Sequence, residues 1–132
     1  MRAQRVQTVP TLILLELPSG MPDLTVSSPH GTITISRDVV AEIVAETASS
    51  CYGVVGLTTG SRVGRLLRRD GITVAGEAEA LRIGLHVVVE YGLNLAEVGA
   101  TVRSQVTYEV ERLTGLHVEA VEVVVEDVRE TA

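Results

Sequence analysis

The spacing of hydrophobic and polar residues changes several times between residues 31 and 128, and each change predicts a new element of secondary structure. The residues TITI (32–35) alternate as in a short strand. After Ser36, which suits a helix N-cap, apolar residues recur at spacings of three and four, and this predicts a helix that ends near Ser50. Its apolar face is predicted to consist of Val40, Ile43, Val44, Thr47 and Ala48.

Three further strands are predicted in the middle of the chain. The residues YGVVGLTT (52–59) favour one strand, interrupted at Gly53. A hairpin follows, with ITVA (72–75) as one arm, GEAE (76–79) as the turn and ALRIGLHVVVEY (80–91) as the long arm. Alternation in the long arm directs two sets of side chains to opposite faces: Leu81, Ile83, Leu85, Val87, Val89 and Tyr91 to the core, and Arg82, His86, Val88 and Glu90 to solvent.

A second helix and a final strand complete the pattern. Asn94 and Glu97 form a capping box at the start of the helix, and Gly115 ends it. The closing residues VEAVEVVVEDV (118–128) favour a strand whose phase changes near Ala120, which predicts a β-bulge there. The apolar stripe of the helix is predicted to contain Leu95, Val98, Val102, Val106, Val110 and Leu113.

The predicted order of elements is therefore β-α-β-β-β-α-β. Because each helix has one apolar stripe and each strand one apolar face, the economical arrangement is an α+β two-layer sandwich with both helices packed on one face of a mixed sheet. We assign residues 31–130 to this domain. Residues 1–30 contain all four prolines and no sustained periodicity, so we predict a weakly ordered N-terminal extension, in which residues 11–17 are the candidate for an added strand.

Composition and charge argue against several classes of function. The chain of 132 residues and 14.0 kDa is large enough for one domain with a hydrophobic core, and no apolar run reaches the roughly 20 residues that a membrane-spanning helix needs. With a net charge of −6, no Phe or Trp and three Tyr, the sequence lacks the basic surface and the stacking platforms of nucleic-acid-binding proteins. The lone Cys51 excludes an internal disulfide and suits a reducing compartment, so we expect a cytoplasmic protein.

The stretch VVVEYGLNLAEV (87–98) is the strongest candidate for an active site, because it places Glu90 and Tyr91 beside a glycine. A general acid or base needs a partner within hydrogen-bonding reach, and no nucleophile lies nearby in the sequence. Gly92 and Asn94 are explained by a capped strand-to-helix turn. We therefore interpret the stretch as a hinge and predict a protein without catalytic residues.

Neither a metal nor a cofactor is predicted. His30, His86 and His117 show no spacing typical of metal ligands, and the glycines form neither a phosphate-binding loop nor a dinucleotide fingerprint. A surface position is the simplest interpretation of His86, with a metal ligand or a pH-sensitive contact as the alternatives.

Two oppositely charged segments favour binding to other molecules. The first, residues 61–70, has a local excess of +3, and its pattern is typical of a short amphipathic helix that touches anionic lipid headgroups or an acidic partner, with a solvated connector as the equal alternative. Its basic residues are Arg62, Arg65, Arg68 and Arg69, interleaved with Val63, Leu66 and Leu67. The second, residues 116–132, carries a net charge of −4, and contacts between opposite ends of two copies would give head-to-tail assembly.

Two long motifs resemble a known protein family. They are GTITISRDVVAEIVAETASSCYGVVGL (31–57) and VVVEYGLNLAEVGATVRSQVTYEVERLTGLHVEAVEVVVEDV (87–128). Together they resemble the alkaline shock protein (Asp/Gls) family of bacterial envelope stress response proteins, which shares the motifs G-x-I-x-I-S, G-V-x-G-L, V-E-Y-G and V-E-x-[ML]-T-G-L. The last strand departs from the family's usual V-N-V-x-V, because Glu122 stands where Asn is common.

The resemblance implies a small non-enzymatic protein of the envelope stress response, held at the inner face of the cell membrane by self-association as a homo-oligomer or by a membrane-anchoring protein partner. We expect the contacts at the basic residues 61–70 and on the open face of the sheet, at His86, Val88, Glu122, Val124 and Glu126. The alternative hypothesis is a regulator linked to fatty-acid metabolism that binds small molecules or acyl lipids.

Overall fold

The structure is a computed structural model that describes residues 23–58 and 71–130. From Gly31 onwards, the order of its strands and helices confirms the predicted β-α-β-β-β-α-β. The predicted strand at 11–17 and the basic residues 61–70 lie outside the described residues. The described elements are, in chain order, β1 (Leu24–Ser28), β2 (Gly31–Ile35), α1 (Arg37–Ser49), β3 (Val54–Leu57), β4 (Ile72–Glu77), β5 (Ala80–Glu90), α2 (Leu95–Thr114) and β6 (Val118–Arg129).

Strand β5 is the centre of a four-stranded mixed sheet. It pairs in parallel with β6 along one edge, while β4 and β3 pair antiparallel with it, β4 opposite residues 80–85 and β3 opposite residues 87–89. The two helices pack against each other, α1 contacts β3 and β4, and α2 contacts β6. The protein is thus an α+β two-layer sandwich with both helices on one face of a mixed sheet, as the hydrophobic pattern predicts.

Strand β1 was not predicted from the sequence. It pairs antiparallel with β2, from Leu24↔Ile35 to Ser28↔Gly31, and the two strands form a separate two-stranded sheet. Leu24 is fully buried and belongs to the hydrophobic core. The sequence signal for β1 is weak because the strand is short and Pro29 follows it directly.

The helix ends follow the predicted capping pattern. The Ser36 side chain accepts a hydrogen bond from the backbone N–H of Asp38, and the Asn94 side chain accepts one from the backbone N–H of Glu97. At the other end of α2, Gly115 adopts a left-handed conformation with φ +78° and donates its N–H to the carbonyl of Glu111. Both helix starts and the end of α2 are thus fixed by local hydrogen bonds.

An aliphatic core fills the space between the helices and the sheet. Strand β5 is central because neighbours on both edges and helices on one face remove its side chains from water. Its buried residues on this face are the predicted Leu81, Ile83, Leu85, Val87 and Val89, and those of α2 are Val98, Val102, Val106 and Val110.

Three predicted core positions are wrong. Tyr91 is 65% exposed, because β5 ends at Glu90 and the chain turns away through Gly92, which has φ +102°. Leu95 and Leu113, in the first and last turns of α2, are 41% and 54% exposed. Leu95 lies beside the edge strand β6, whereas Leu113 lies beside α1.

A buried arginine fastens α1 to the sheet. Arg37, the first residue of α1, is only 7% exposed, and its guanidinium donates hydrogen bonds to the carbonyl oxygens of Val74 (3.3 Å) and Gly76 (2.8 Å) in β4. A buried cation needs such acceptors, because an unpaired charge would be costly. This role of Arg37 was not predicted from the sequence.

Gly53 fixes the turn between α1 and β3. Its φ is +90°, and a Cβ added there would lie 2.8 Å from Leu93 Cδ1 and 3.1 Å from Val98 Cγ2. A side chain is therefore excluded both by backbone conformation and by the close approach of the hinge that precedes α2. The predicted break at this glycine is confirmed.

Candidate interaction surfaces

The face of the sheet opposite the helices carries the predicted contact residues of β5 and β6. Side chains alternate along both strands, and Val121, Val123 and Val125 of β6 pack against the core. The open face is therefore formed by the alternate positions, where Glu122 pairs in register with Gly84 and Val124 pairs with His86. We call this surface the open sheet face.

His86 and Glu126 form the most specific contact on the open sheet face. The His86 Nδ1 and Glu126 Oε2 atoms lie 2.6 Å apart, and the two side chains are 32% and 37% exposed. Glu126 is an extra residue in β6, because Val125 pairs with Val87 and Asp127 pairs with Val88. This β-bulge lets Glu126 reach back to His86, two positions before Val88.

A second bulge lies where the sequence predicts one. Val118 pairs with Leu81 and Ala120 pairs with Arg82, so that Glu119 is the extra residue. The Glu119 carboxylate lies 3.9 Å from the Arg82 guanidinium, and both side chains are more than half exposed. Such an exposed, long ion pair contributes little to stability.

The predicted exposure of Val88 is wrong. Val88 is only 3% exposed, because it lies between Gly56 of β3 and Asp127 of β6, next to register shifts in both neighbouring strands. Val124, near the middle of β6, is half-buried. The open sheet face therefore offers partners charged groups and one valine, and not a continuous apolar patch.

Strand β6 is an edge strand of the four-stranded sheet and carries mostly negative charge. Glu119, Glu122, Glu126 and Asp127 are exposed, with Arg129 as the only cation of the strand. Bulges and like charges both disfavour pairing of an edge strand with its own copy. Edge-to-edge pairing of β6 with the same strand of a second copy is therefore disfavoured.

The other site residues that the sequence predicts, Arg62, Arg65, Arg68 and Arg69, lie outside the described residues. Within residues 23–58 and 71–130, no three His, Cys, Asp or Glu side chains are grouped so that they could hold a metal ion. In the same ranges, no helix is both long enough and apolar enough to cross a membrane. His117 contacts Glu111 (3.3 Å), whose carboxylate also accepts the backbone N–H of Val118.

A second surface was not predicted from the sequence: a groove of about 660 Å³ lies between α1 and α2, on the side that faces away from the sheet. We call it the helix groove. Tyr52, just after α1, lies beside the start of α2, so the two helices run antiparallel along it. Its lining is Glu42, Ile43, Glu46, Thr47, Ser50, Cys51 and Tyr52 from α1 and the following turn, and Thr101, Gln105, Glu109 and Leu113 from α2.

The helix groove combines apolar and acidic groups. Leu113 and Tyr52 are largely exposed, and Ile43 is half-buried. Glu109 accepts a hydrogen bond from Arg112 (2.7 Å), and this contact raises the pKa of the Arg112 guanidinium. The apolar spacing of α2 assigned Leu113 to the core, so the sequence pattern did not indicate this groove. The exposure of Leu113 is seen only in the structure.

Cys51 lies at one end of the helix groove. Its Sγ is within 3.4 Å of the Thr47 carbonyl oxygen, and partial burial raises the pKa of the thiol above its ordinary value. A raised pKa lowers the thiolate fraction at neutral pH, and the thiolate is the reactive form. The thiol is therefore a slow nucleophile, and its alkylation rate can show whether the helix groove is covered.

The fold and the two surfaces define a small α+β domain with one covered and one open sheet face. The chain matches the Asp23 family, described as having a cell envelope-related function, over residues 25–130. It belongs to the Asp23 family (a protein name, unrelated to residue 23), and the resemblance to alkaline shock proteins is confirmed.

Two bacterial proteins are similar over most of their length. YloU of Bacillus subtilis strain 168, described as uncharacterized, is 33% identical over 110 residues, which are 77% of this chain and 92% of YloU. Spy1614 of Streptococcus pyogenes serotype M6, also described as uncharacterized, is 27% identical over 112 residues, which are 79% of this chain and 93% of Spy1614.

Solved structures of MamM CTD variants are similar at a lower level. One variant in a zinc form is 15% identical and covers 69% of this chain and 85% of its own, with a TM-score of 0.45. Another is 13% identical and covers 69% of this chain and 96% of its own, with a TM-score of 0.45. The family match, and not this likeness, supports the functional conclusion below.

Proposed function

We propose that the protein is a non-enzymatic scaffold of the bacterial envelope stress response that acts at the cytoplasmic side of the membrane through protein–protein contacts. The family match supports the cell envelope-related part of this proposal. The observation that carries the interaction part is the open sheet face, which the helices leave uncovered and which bears the His86–Glu126 pair beside Glu122 and Val124.

The charge of the open sheet face defines the kind of partner. The exposed carboxylates of β6 favour a protein surface that presents arginine or lysine, and electrostatic complementarity of this kind speeds association and selects the partner. A membrane-anchored protein with a basic cytoplasmic segment would hold the chain at the envelope. The basic residues 61–70 of the chain add a second charged contact, either to an acidic protein or to anionic headgroups.

A charge-reversal experiment in cells tests this proposal. The variant Glu122→Arg/Glu126→Arg makes the open sheet face basic, and we expect the chain to move from the sedimented envelope fraction to the supernatant. The matched control is Glu77→Arg/Glu79→Arg, two exposed glutamates at the β4–β5 turn, which changes the net charge by the same amount. The proposal fails if both variants sediment as the wild type does, or if both are lost equally.

The regulator of fatty-acid metabolism is the weaker hypothesis. It requires an apolar cavity, and the helix groove is the candidate for one. The exposed Glu46 lines this groove, and its carboxylate would repel the carboxylate of a fatty acid. Measuring the unfolding temperature with a series of fatty acids distinguishes the scaffold hypothesis from the regulator hypothesis. The scaffold hypothesis predicts that no fatty acid raises the unfolding temperature with increasing concentration.

A further inference from the structure

The helix groove has the properties of a receptor for a basic amphipathic helix. Helices commonly bind in grooves that offer an apolar floor, with charged residues at the rim. Here Ile43 and Leu113 supply apolar contacts, and Glu42 and Glu46 supply negative charge one turn apart on α1.

The chain itself contains a segment with the complementary chemistry. Residues 61–70 hold Val63, Leu66 and Leu67, spaced so that a helix would carry them on one side, with four arginines around them. We propose that the helix groove of one copy binds the basic segment 61–70 of a second copy. The inference adds self-association at a surface separate from the open sheet face, where partner binding is proposed.

The dimensions of groove and segment agree. Ten residues in a helix extend about 15 Å, and the stretch of α2 from Thr101 to Leu113 extends about 18 Å at the same rise. The open sheet face is a poorer receptor, because Val88 is buried there and Val124 is only half-exposed. It offers charge to the arginines but little apolar surface to the three aliphatic side chains.

Covalent geometry favours the groove of a second copy over the chain's own groove. The segment is joined to Gly71 directly before β4, and Thr58 on its other side is held at the sheet, where its N–H bonds to the carbonyl of His86. The groove lies beyond α1, and a helix with its side chains is about 10 Å across. Because Asp70 is joined directly to Gly71, no linker separates the basic segment from β4, and a path around α1 to the groove of the same copy would need one.

A charge-swap experiment tests the proposal in the full chain. The groove variant is Glu42→Arg/Glu46→Arg, and the segment variant is Arg65→Glu/Arg69→Glu. Size exclusion with light scattering would show the wild type above its monomer mass of 14.0 kDa, with a smaller mass at high salt. Each variant alone would associate at least ~10-fold more weakly, because its groove and segment then carry like charges.

Mixing the two variants separates a lost contact from a misfolded chain. The basic groove of one variant would accept the acidic segment of the other, and the acidic groove would accept the basic segment, so the mixture would recover the wild-type mass. The control Glu77→Arg/Glu79→Arg would associate as the wild type does. The proposal is overturned if the groove variant keeps its mass, if the mixture stays monomeric, or if the control loses association equally.

Cys51 provides a readout that needs no substitution. Because its thiol lies in the groove, association of the wild type would slow alkylation of Cys51, and dilution to the monomer would restore the rate. A wild type that is monomeric at all concentrations, with Cys51 protected or not, contradicts docking between copies. The groove variant also tells the two proposals apart, because its open sheet face is unchanged. It should still sediment with the envelope fraction although it no longer self-associates.

Discussion

The two faces of strand β5 show how one alternating sequence serves two purposes. On the helix side, Leu85 and Val87 are completely buried, and their removal from water stabilises the fold by about 1.5–3 kcal/mol each. On the other side, His86 contacts Glu126 at the surface, where such a polar contact contributes about 0–1 kcal/mol. Stability is thus concentrated on the covered face, and the open face is free to change its charge for binding.

Truncation of the core should have the largest effect. The substitution Leu85→Ala removes a fully buried side chain, and we expect the free energy of unfolding to fall by about 2–5 kcal/mol. Urea denaturation followed by circular dichroism measures this loss. Glu122→Ala on the open sheet face should change stability by no more than about 0.5 kcal/mol. Equal losses for the two variants would contradict the division between the faces.

Arg37 tests whether a polar contact can matter as much as an apolar one when it is buried. Arg37→Met keeps much of the side-chain volume but leaves the carbonyl oxygens of Val74 and Gly76 without their donor. We expect a loss of about 1.5–3 kcal/mol in the same denaturation experiment. Arg82→Met, which removes an exposed guanidinium on β5, is the control and should lose less than about 1 kcal/mol. A smaller loss for Arg37 than for Arg82 would be contrary to this account.

Two valines sharpen the comparison, because both belong to the open side of the sheet. Val88→Ala should lose about 1–2.5 kcal/mol, since Val88 is only 3% exposed. Val124→Ala should lose less than about 1 kcal/mol, because Val124 is half-buried. If the unfolding midpoints of both variants shift equally, strands β3 and β6 do not cover Val88 as described.

The His86–Glu126 contact should have the smallest effect on stability. Glu126→Gln removes the carboxylate charge, and we expect a change of less than about 1 kcal/mol. A double-mutant cycle with His86→Gln, measured by urea denaturation at neutral pH, isolates the coupling between the two side chains. A coupling above about 2 kcal/mol would mean that the open sheet face has a structural role that we assign to the covered face.

The pKa of Cys51 gives a prediction that does not depend on stability. Because burial raises the pKa of this thiol, its thiolate fraction at neutral pH is smaller than that of a free cysteine. Alkylation by iodoacetamide should therefore be slower than for a cysteine peptide, and its rate should rise at a higher pH than the peptide's does. An alkylation rate at neutral pH equal to that of the peptide would contradict the partial burial of the Cys51 thiol.

The alternation of β5 and the caps at Ser36 and Asn94 could be predicted from the sequence because they depend on near neighbours. The burial of Val88 could not, because it depends on the position of β5 between β3 and β6 and on a bulge at Glu126. The helix groove was missed for a similar reason. Leu113 falls on the apolar stripe of α2, and only the packing angle of α1 decides whether such a residue faces the sheet or a groove.

We propose that the open sheet face, and not the helical layer, contacts the membrane-anchored partner at the cell envelope. The most direct measurement places a photo-crosslinking amino acid at Val124 of the full chain in living cells, and at the exposed Ser104 of α2 as the comparison. We predict a crosslinked product of defined mass in the envelope fraction from position 124, lost when Glu122→Arg is added, and no such product from position 104. Products from position 104 alone, or equal products from both positions, would contradict the claim.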